Sequence, residues 1–215
     1  MDSLTTSLTS LTTLTKLMFS TAEAASRLMA LLSRLSVGRT VAYENLRLDL
    51  VLDIQDPQGQ VAVLGKRQRI LCRGRDVVVR DLVWGEGRTL ARYDLRGAKR
   101  LGMKSEGSRK AVMLAPFAQA GAGKHLIVAS RRVIKSGFRE ADEYFDTIVE
   151  RPTRRMVLRV LFPKGRPPKT ASLVSEGRNV DTAVPVRMAR DGRSFLSWAV
   201  NRPEQYLTYS LRWSW

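Results

Sequence analysis

The chain has 215 residues, 44% of them apolar, a single cysteine (Cys72) and a formal net charge of +17. That suffices for one large or two small domains with a real core. It excludes an internal disulfide, and with it a stapled secreted scaffold, so a cytoplasmic location is the expectation. Asp2 stands where a signal peptide would carry Lys or Arg. The most apolar stretch, 17–37, is interrupted by Glu23, Arg27 and Arg34, so a membrane span is not expected.

The charge is unevenly spread. Residues 1–64 carry five basic and six acidic side chains, residues 65–139 nineteen and five, and residues 140–215 thirteen and nine. Most of the excess therefore falls in one third of the chain, which predicts a localised basic surface rather than diffuse solubilising charge.

In chain order, residues 3–36 read as an amphipathic helix. Leu4, Leu8, Leu11, Thr15, Met18, Ala22, Ala25, Met29, Leu32 and Ser36 are spaced alternately four and three apart. Such a seam packs against another helix or a second copy. Leu4, Leu8, Leu11, Met18, Met29 and Leu32 are the expected self-association residues. The threonines between Thr5 and Thr21 lower intrinsic helicity, so this arm is expected to order by packing.

From position 41 the period becomes two. Leu46, Leu48, Leu50, Leu52 and Ile54 alternate with more polar neighbours, which predicts a strand with one buried face. Asp56, Pro57, Gln58 and Gly59 have turn composition, and 61–72 is the expected antiparallel return. Further short strands are expected at 76–84, 88–95 and 110–115, then at 156–162, 182–188, 195–200 and 206–215. In the last, Leu207, Tyr209, Leu211, Trp213 and Trp215 share one face. Between 139 and 150, Ala141, Tyr144, Phe145, Ile148 and Val149 follow helical spacing ahead of Pro152, which predicts one short internal helix. The expected fold is thus mainly β: an antiparallel sandwich, one large or two small, with an N-terminal and an internal helix. The divisions are a helical arm at 1–37, a basic β domain at 38–138, and the short helix with further sandwich strands at 139–215.

The stretch APFAQAGAGKH at 115–125 resembles a phosphate-cradling loop only superficially. A loop of that type needs glycine at 118 and Ser or Thr at 125, where this chain has Ala118 and His125. From His125 onward, HLIVAS reads as strand instead of the required helix, so a hairpin turn with paired flanks is expected. His125 is the only histidine, and with Cys72 it is too little to close a zinc site without carboxylates. No metal, no cofactor and no catalytic residues are expected. Of the carboxylates Glu140, Asp142, Glu143, Asp146 and Glu150, the expected helix puts Glu143, Asp146 and Glu150 on one face, opposite Tyr144, Phe145 and Ile148, which reads as an ordinary solvated face.

The basic residues carry the functional expectation. Lys66, Arg67, Arg69, Arg73 and Arg75 cluster in one hairpin; Lys99 and Arg100, with Lys104, Arg109 and Lys110, lie near a second; Arg131, Arg132, Lys135 and Arg139 come after them. Arginine forks fit phosphate oxygens in pairs. The expected function is a non-enzymatic module that holds a polyanion, nucleic acid such as RNA foremost, and assembles through its helix as a homo-oligomer or complex subunit. The alternative is a regulatory or interaction subunit docking an acidic protein. A third reading, peripheral membrane association, rests on the threonine-rich polar face of the arm.

Overall fold

The computed structural model describes residues 42–85, 88–107, 109–175 and 178–215. The expected N-terminal helix, its seam residues and the arm at 1–37 lie outside the described residues. Among the described residues the chain forms strands and no helix.

Alternation of apolar and polar side chains produces two long strands first, β1 (Tyr43–Ile54) and β2 (Val61–Cys72). They pair antiparallel through the turn at 56–59. The Asp56 carboxylate accepts backbone N–H bonds from Gln58 (3.0 Å), Gln60 (3.0 Å) and Val61 (2.7 Å), closing the turn from its own side chain. Gly59 is required there: its φ is +68°, and a Cβ would stand 1.6 Å from the Phe138 carbonyl oxygen.

Next come β3 (Val79–Val83), β4 (Arg88–Arg96), β5 (Ala98–Glu106), β6 (Arg109–Pro116) and β7 (His125–Lys135). The second half contributes β8 (Asp142–Ile148), β9 (Arg155–Leu161), β10 (Thr170–Ser175), β11 (Arg178–Ala183), β12 (Arg187–Met188), β13 (Ser194–Asn201) and β14 (Thr208–Ser214). Three sheets result. The largest has the order β12-β13-β9-β1-β2-β7-β4, and the smaller ones are β11-β10-β14-β8 and β3-β6-β5. The large sheet draws strands from both sides of residue 139.

Both small sheets pack on one face of the large one. Leu48, Leu50, Leu52, Ile54, Leu64, Met156, Leu158, Val160 and Leu196 meet Phe145, Leu173, Tyr209, Leu211 and Trp213 of the four-stranded sheet. A smaller core joins Tyr43, Ile70, Cys72 and Val128 to Val79, Val83, Ala98, Val112 and Leu114 of the three-stranded sheet and its flank. Trp213, 2% exposed, has Phe138, Phe162 and Trp215 ring centroids 5.5–6.0 Å away. The C-terminal face expected from the sequence therefore closes the larger core.

Three expectations need correction. The internal helix at 139–150 is strand β8, whose side chains alternate between exposed Asp142 and Tyr144 and buried Glu143, Phe145 and Thr147. Tyr144, Phe145, Thr147 and Ile148 favour a pleated, half-buried surface, and pairing with β14 overrides the coincidental helical spacing. The pairing is also not wholly antiparallel, because β9 runs parallel to β1, Leu48 opposite Met156. Finally, 117–124 is no hairpin turn. Its flanks, β6 and β7, pair with β3 and β5 and with β2 and β4 respectively, so the stretch crosses between sheets.

Candidate anion-binding face

The face of the large sheet opposite the two cores is covered by no described element. Because strand side chains alternate, residues that flank the buried ones point to it. On β2, buried Gln68 and Ile70 put Arg67 and Arg69 outside; on β7, buried Ser130 and Arg132 put Arg131 and Lys135 outside. The same reasoning places Arg47 of β1, Arg92 and Arg96 of β4, and Arg155 and Arg159 of β9 on this face. Register arranges them in rows: Arg69 lies opposite Arg47, Arg67 opposite Asp49, and Arg131 between Gly65 and Asp94.

Part of this charge is internally matched. Arg47 Nε donates to both Asp49 oxygens at 2.8 Å, and Arg92 pairs with Asp94 at 3.0 Å. Glu44, at the end of β1, holds Arg73 (2.6 Å) and Arg154. Hydrogen bonds from Arg154 and Arg73 keep its carboxyl below the ordinary range. Arg67, Arg69, Arg96, Arg131 and Arg155 make no ion pair with a described residue and are exposed, so their guanidinium groups stand available to an anion.

The residues expected from the sequence divide into three groups. Arg67, Arg69, Arg131 and Lys135 share the open face. Arg73, Arg75 and Arg139 sit in exposed loops at strand ends, and Lys99 and Arg100 belong to β5, on a different sheet. Lys66 and Arg132 point inward, to the boundary between the two cores. There Asp81 of β3 accepts from Lys66 Nζ (3.0 Å), Tyr93 Oη (2.7 Å) and Ser130 Oγ (2.9 Å).

Burial pushes the Asp81 carboxyl upward, but the charges of Lys66 and Arg132 outweigh it and hold the group below the ordinary range. Burial and the Asp81 charge raise the Tyr93 phenol, keeping it a hydrogen-bond donor. Burial lowers the Arg132 guanidinium, with Asp81 opposing. These two cations anchor layers together and are withdrawn from the surface. Conversely, sequence clustering missed Arg47, Arg155 and Arg159, which only the pairing β9-β1-β2 brings beside Arg67 and Arg69. The alternation of Arg47 with the leucines of β1 was the available signal.

Cys72 and His125 lie one register step apart but on opposite faces. Cys72 is fully buried, which raises its thiol pKa, and His125 is exposed opposite Leu71. Cys72 instead makes backbone bonds with Lys124 and Gly123, both at 2.9 Å, tying the 117–124 crossover to β2. Among the described residues no three His, Cys, Asp or Glu side chains converge at metal-ligating distances, and no helix is long and apolar enough to cross a membrane.

No family model matches the chain, and no curated protein sequence does. Among solved structures, it is similar to an M1 zinc metallopeptidase from Deinococcus radiodurans at 13% identity and TM-score 0.43, over 80% of this chain and 42% of that one. A putative protease from Parabacteroides distasonis gives 8% identity and TM-score 0.46, over 81% and 40%. The chain spans about two fifths of the length of these structures. Similarity at this level establishes neither kinship nor a shared activity.

Proposed function

We propose that the protein is a non-enzymatic binding module that holds a polyanion, nucleic acid foremost, across the arginine-bearing face of its seven-stranded sheet. One observation carries the reading: Arg67, Arg69, Arg96, Arg131 and Arg155 project from four strands onto one face that no described element covers, without ion-pair partners among the described residues. Strands about 4.8 Å apart and same-face neighbours about 6.8 Å apart along a strand set these forks at spacings close to those of successive phosphates. Residues 1–37 and their apolar seam would supply assembly, and the cytoplasm is the compartment that suits a free thiol.

Replacement of Arg67, Arg69, Arg131 and Arg155 by Gln is expected to weaken binding of a fluorescent single-stranded oligonucleotide by at least tenfold. The log–log salt dependence should flatten by roughly 0.7 for each phosphate that is no longer neutralised. Replacement of the exposed Lys164, Lys169, Arg190 and Arg212 removes the same charge elsewhere. Equal weakening in the two variants would mean diffuse attraction with no site. Absence of binding at low salt would remove nucleic acid and favour an acidic protein as the occupant of this face.

A further inference from the structure

The hairpin of β5 and β6 combines three features that the arginine face does not explain. Among the described residues β5 pairs with β6 alone and forms the edge of its sheet. It carries Lys99, Arg100 and Lys104, all exposed, while its one carboxylate, Glu106, is paired with Arg80 at 2.6 Å. Large apolar side chains are left in solvent beside these charges: Leu101 is 54% exposed, Met103 44%, and Phe117, whose N–H bonds the Gly97 carbonyl at 3.0 Å, 69%.

Basic residues and the bulge at Arg100–Gly102 would by themselves protect an edge from aggregation. They do not account for Leu101, Met103 and Phe117, apolar groups that a partner strand would cover. We propose that the free edge of β5 accepts an extended strand from an acidic protein partner, a segment in which Asp or Glu alternates with apolar residues. Main-chain hydrogen bonds would hold that strand, and the two side-chain sets would select it.

Charge decides the occupant. A second copy pairing antiparallel about Gly102 would set Arg100 opposite the other copy's Lys104, like charges that repel when directly opposed. Residues 1–41 of this chain carry four basic and two acidic side chains, so they offer no acidic strand. An anionic bilayer would match the charge and the apolar groups, but it would leave the edge N–H and C=O groups without partners at the depth where Leu101 and Met103 insert. The inference does not rest on nucleic-acid binding at the arginine face.

The test uses the full chain and a fluorescent nine-residue peptide alternating Glu and Val, matched to the nine residues of β5. Saturable binding is expected, with slowed amide hydrogen exchange confined to 98–106. Lys99→Glu, Arg100→Glu and Lys104→Glu together should weaken it at least tenfold, while the Arg67, Arg69, Arg131 and Arg155 quadruple variant retains it. N-methylation of alternate peptide amides should abolish binding to the unaltered protein. Equal affinity for the N-methylated peptide would reduce the effect to charge attraction and overturn the proposal. So would an absence of peptide binding, or protection of 98–106 by phosphatidylserine vesicles and not by peptide. Loss of peptide binding with oligonucleotide binding intact in the triple variant separates this edge from the arginine face.

Discussion

The two halves of the large sheet are covered in different ways. Beneath the four-stranded sheet the contact is aromatic and aliphatic, centred on Trp213, Phe162, Leu211 and Leu158. Beneath the three-stranded sheet the apolar core is smaller and rich in valine, and next to it Asp81 gathers Lys66, Tyr93, Ser130 and Arg132 from the large sheet. One layer is held by surface area and the other by a geometrically demanding charge cluster. A small apolar core gives little orientation by itself, whereas buried charges tolerate few arrangements of their partners. The three-stranded layer, which also presents the basic β5 edge, is thus positioned by polar contacts.

The largest effects should come from breaking each half at its centre. Trp213→Ala is expected to cost roughly 3–5 kcal/mol from reduced burial and the cavity left behind. Asp81→Ala should cost about the same, roughly 3–5 kcal/mol, because Lys66 and Arg132 remain buried without their counter-charge. Denaturant titration measures both, and pH distinguishes them. Asp81 has a folded pKa below its unfolded one. Its contribution is therefore present above the unfolded value and is lost as pH falls through the folded value. Stability curves for the parent and Asp81→Ala should converge in acid, while the Trp213→Ala gap stays nearly constant. A constant gap for both would mean that Asp81 acts by packing alone.

An intermediate effect is expected at the turn that fastens β1 and β2 to the loop after β7. Gly59→Ala places a Cβ against the Phe138 carbonyl at positive φ and should cost at least about 1–3 kcal/mol. Hydrogen exchange at Ser136, whose N–H bonds the Gln60 carbonyl at 2.7 Å, should report the local loosening.

The weakest effect is expected where the two small sheets touch. Glu150 reaches Arg80 at 2.9 Å and so links the segment after β8 to the three-stranded sheet. Burial raises its pKa in spite of Arg80, Lys66 and Arg151. A raised carboxyl favours the folded state in acid, and that advantage is lost as pH rises from the unfolded value through the folded one. Glu150→Gln should therefore change neutral-pH stability by no more than about 1 kcal/mol and remove this acid-side gain. A large destabilisation at neutral pH would make the Arg80 bridge a principal tie between the small sheets.

Strands whose chemistry is periodic or locally closed are legible from the residues alone. β1, the Asp56–Gly59 turn and β2 need only alternating leucines and an aspartate that caps its own turn. The buried face of β14 was equally legible in Tyr209, Leu211 and Trp213. Strand β5 was not, because an exposed edge carries no apolar period, and β8 imitated a helix because seven residues sample too little of either period. Tertiary structure alone decided that β6 and β7 belong to different sheets and that β9 lies parallel to β1. It also decided that Lys66 and Arg132 turn inward while Arg47 and Arg155 join Arg67 and Arg69. Alternation fixes which residues share a strand face, whereas long-range pairing fixes which strands share a sheet and which face water.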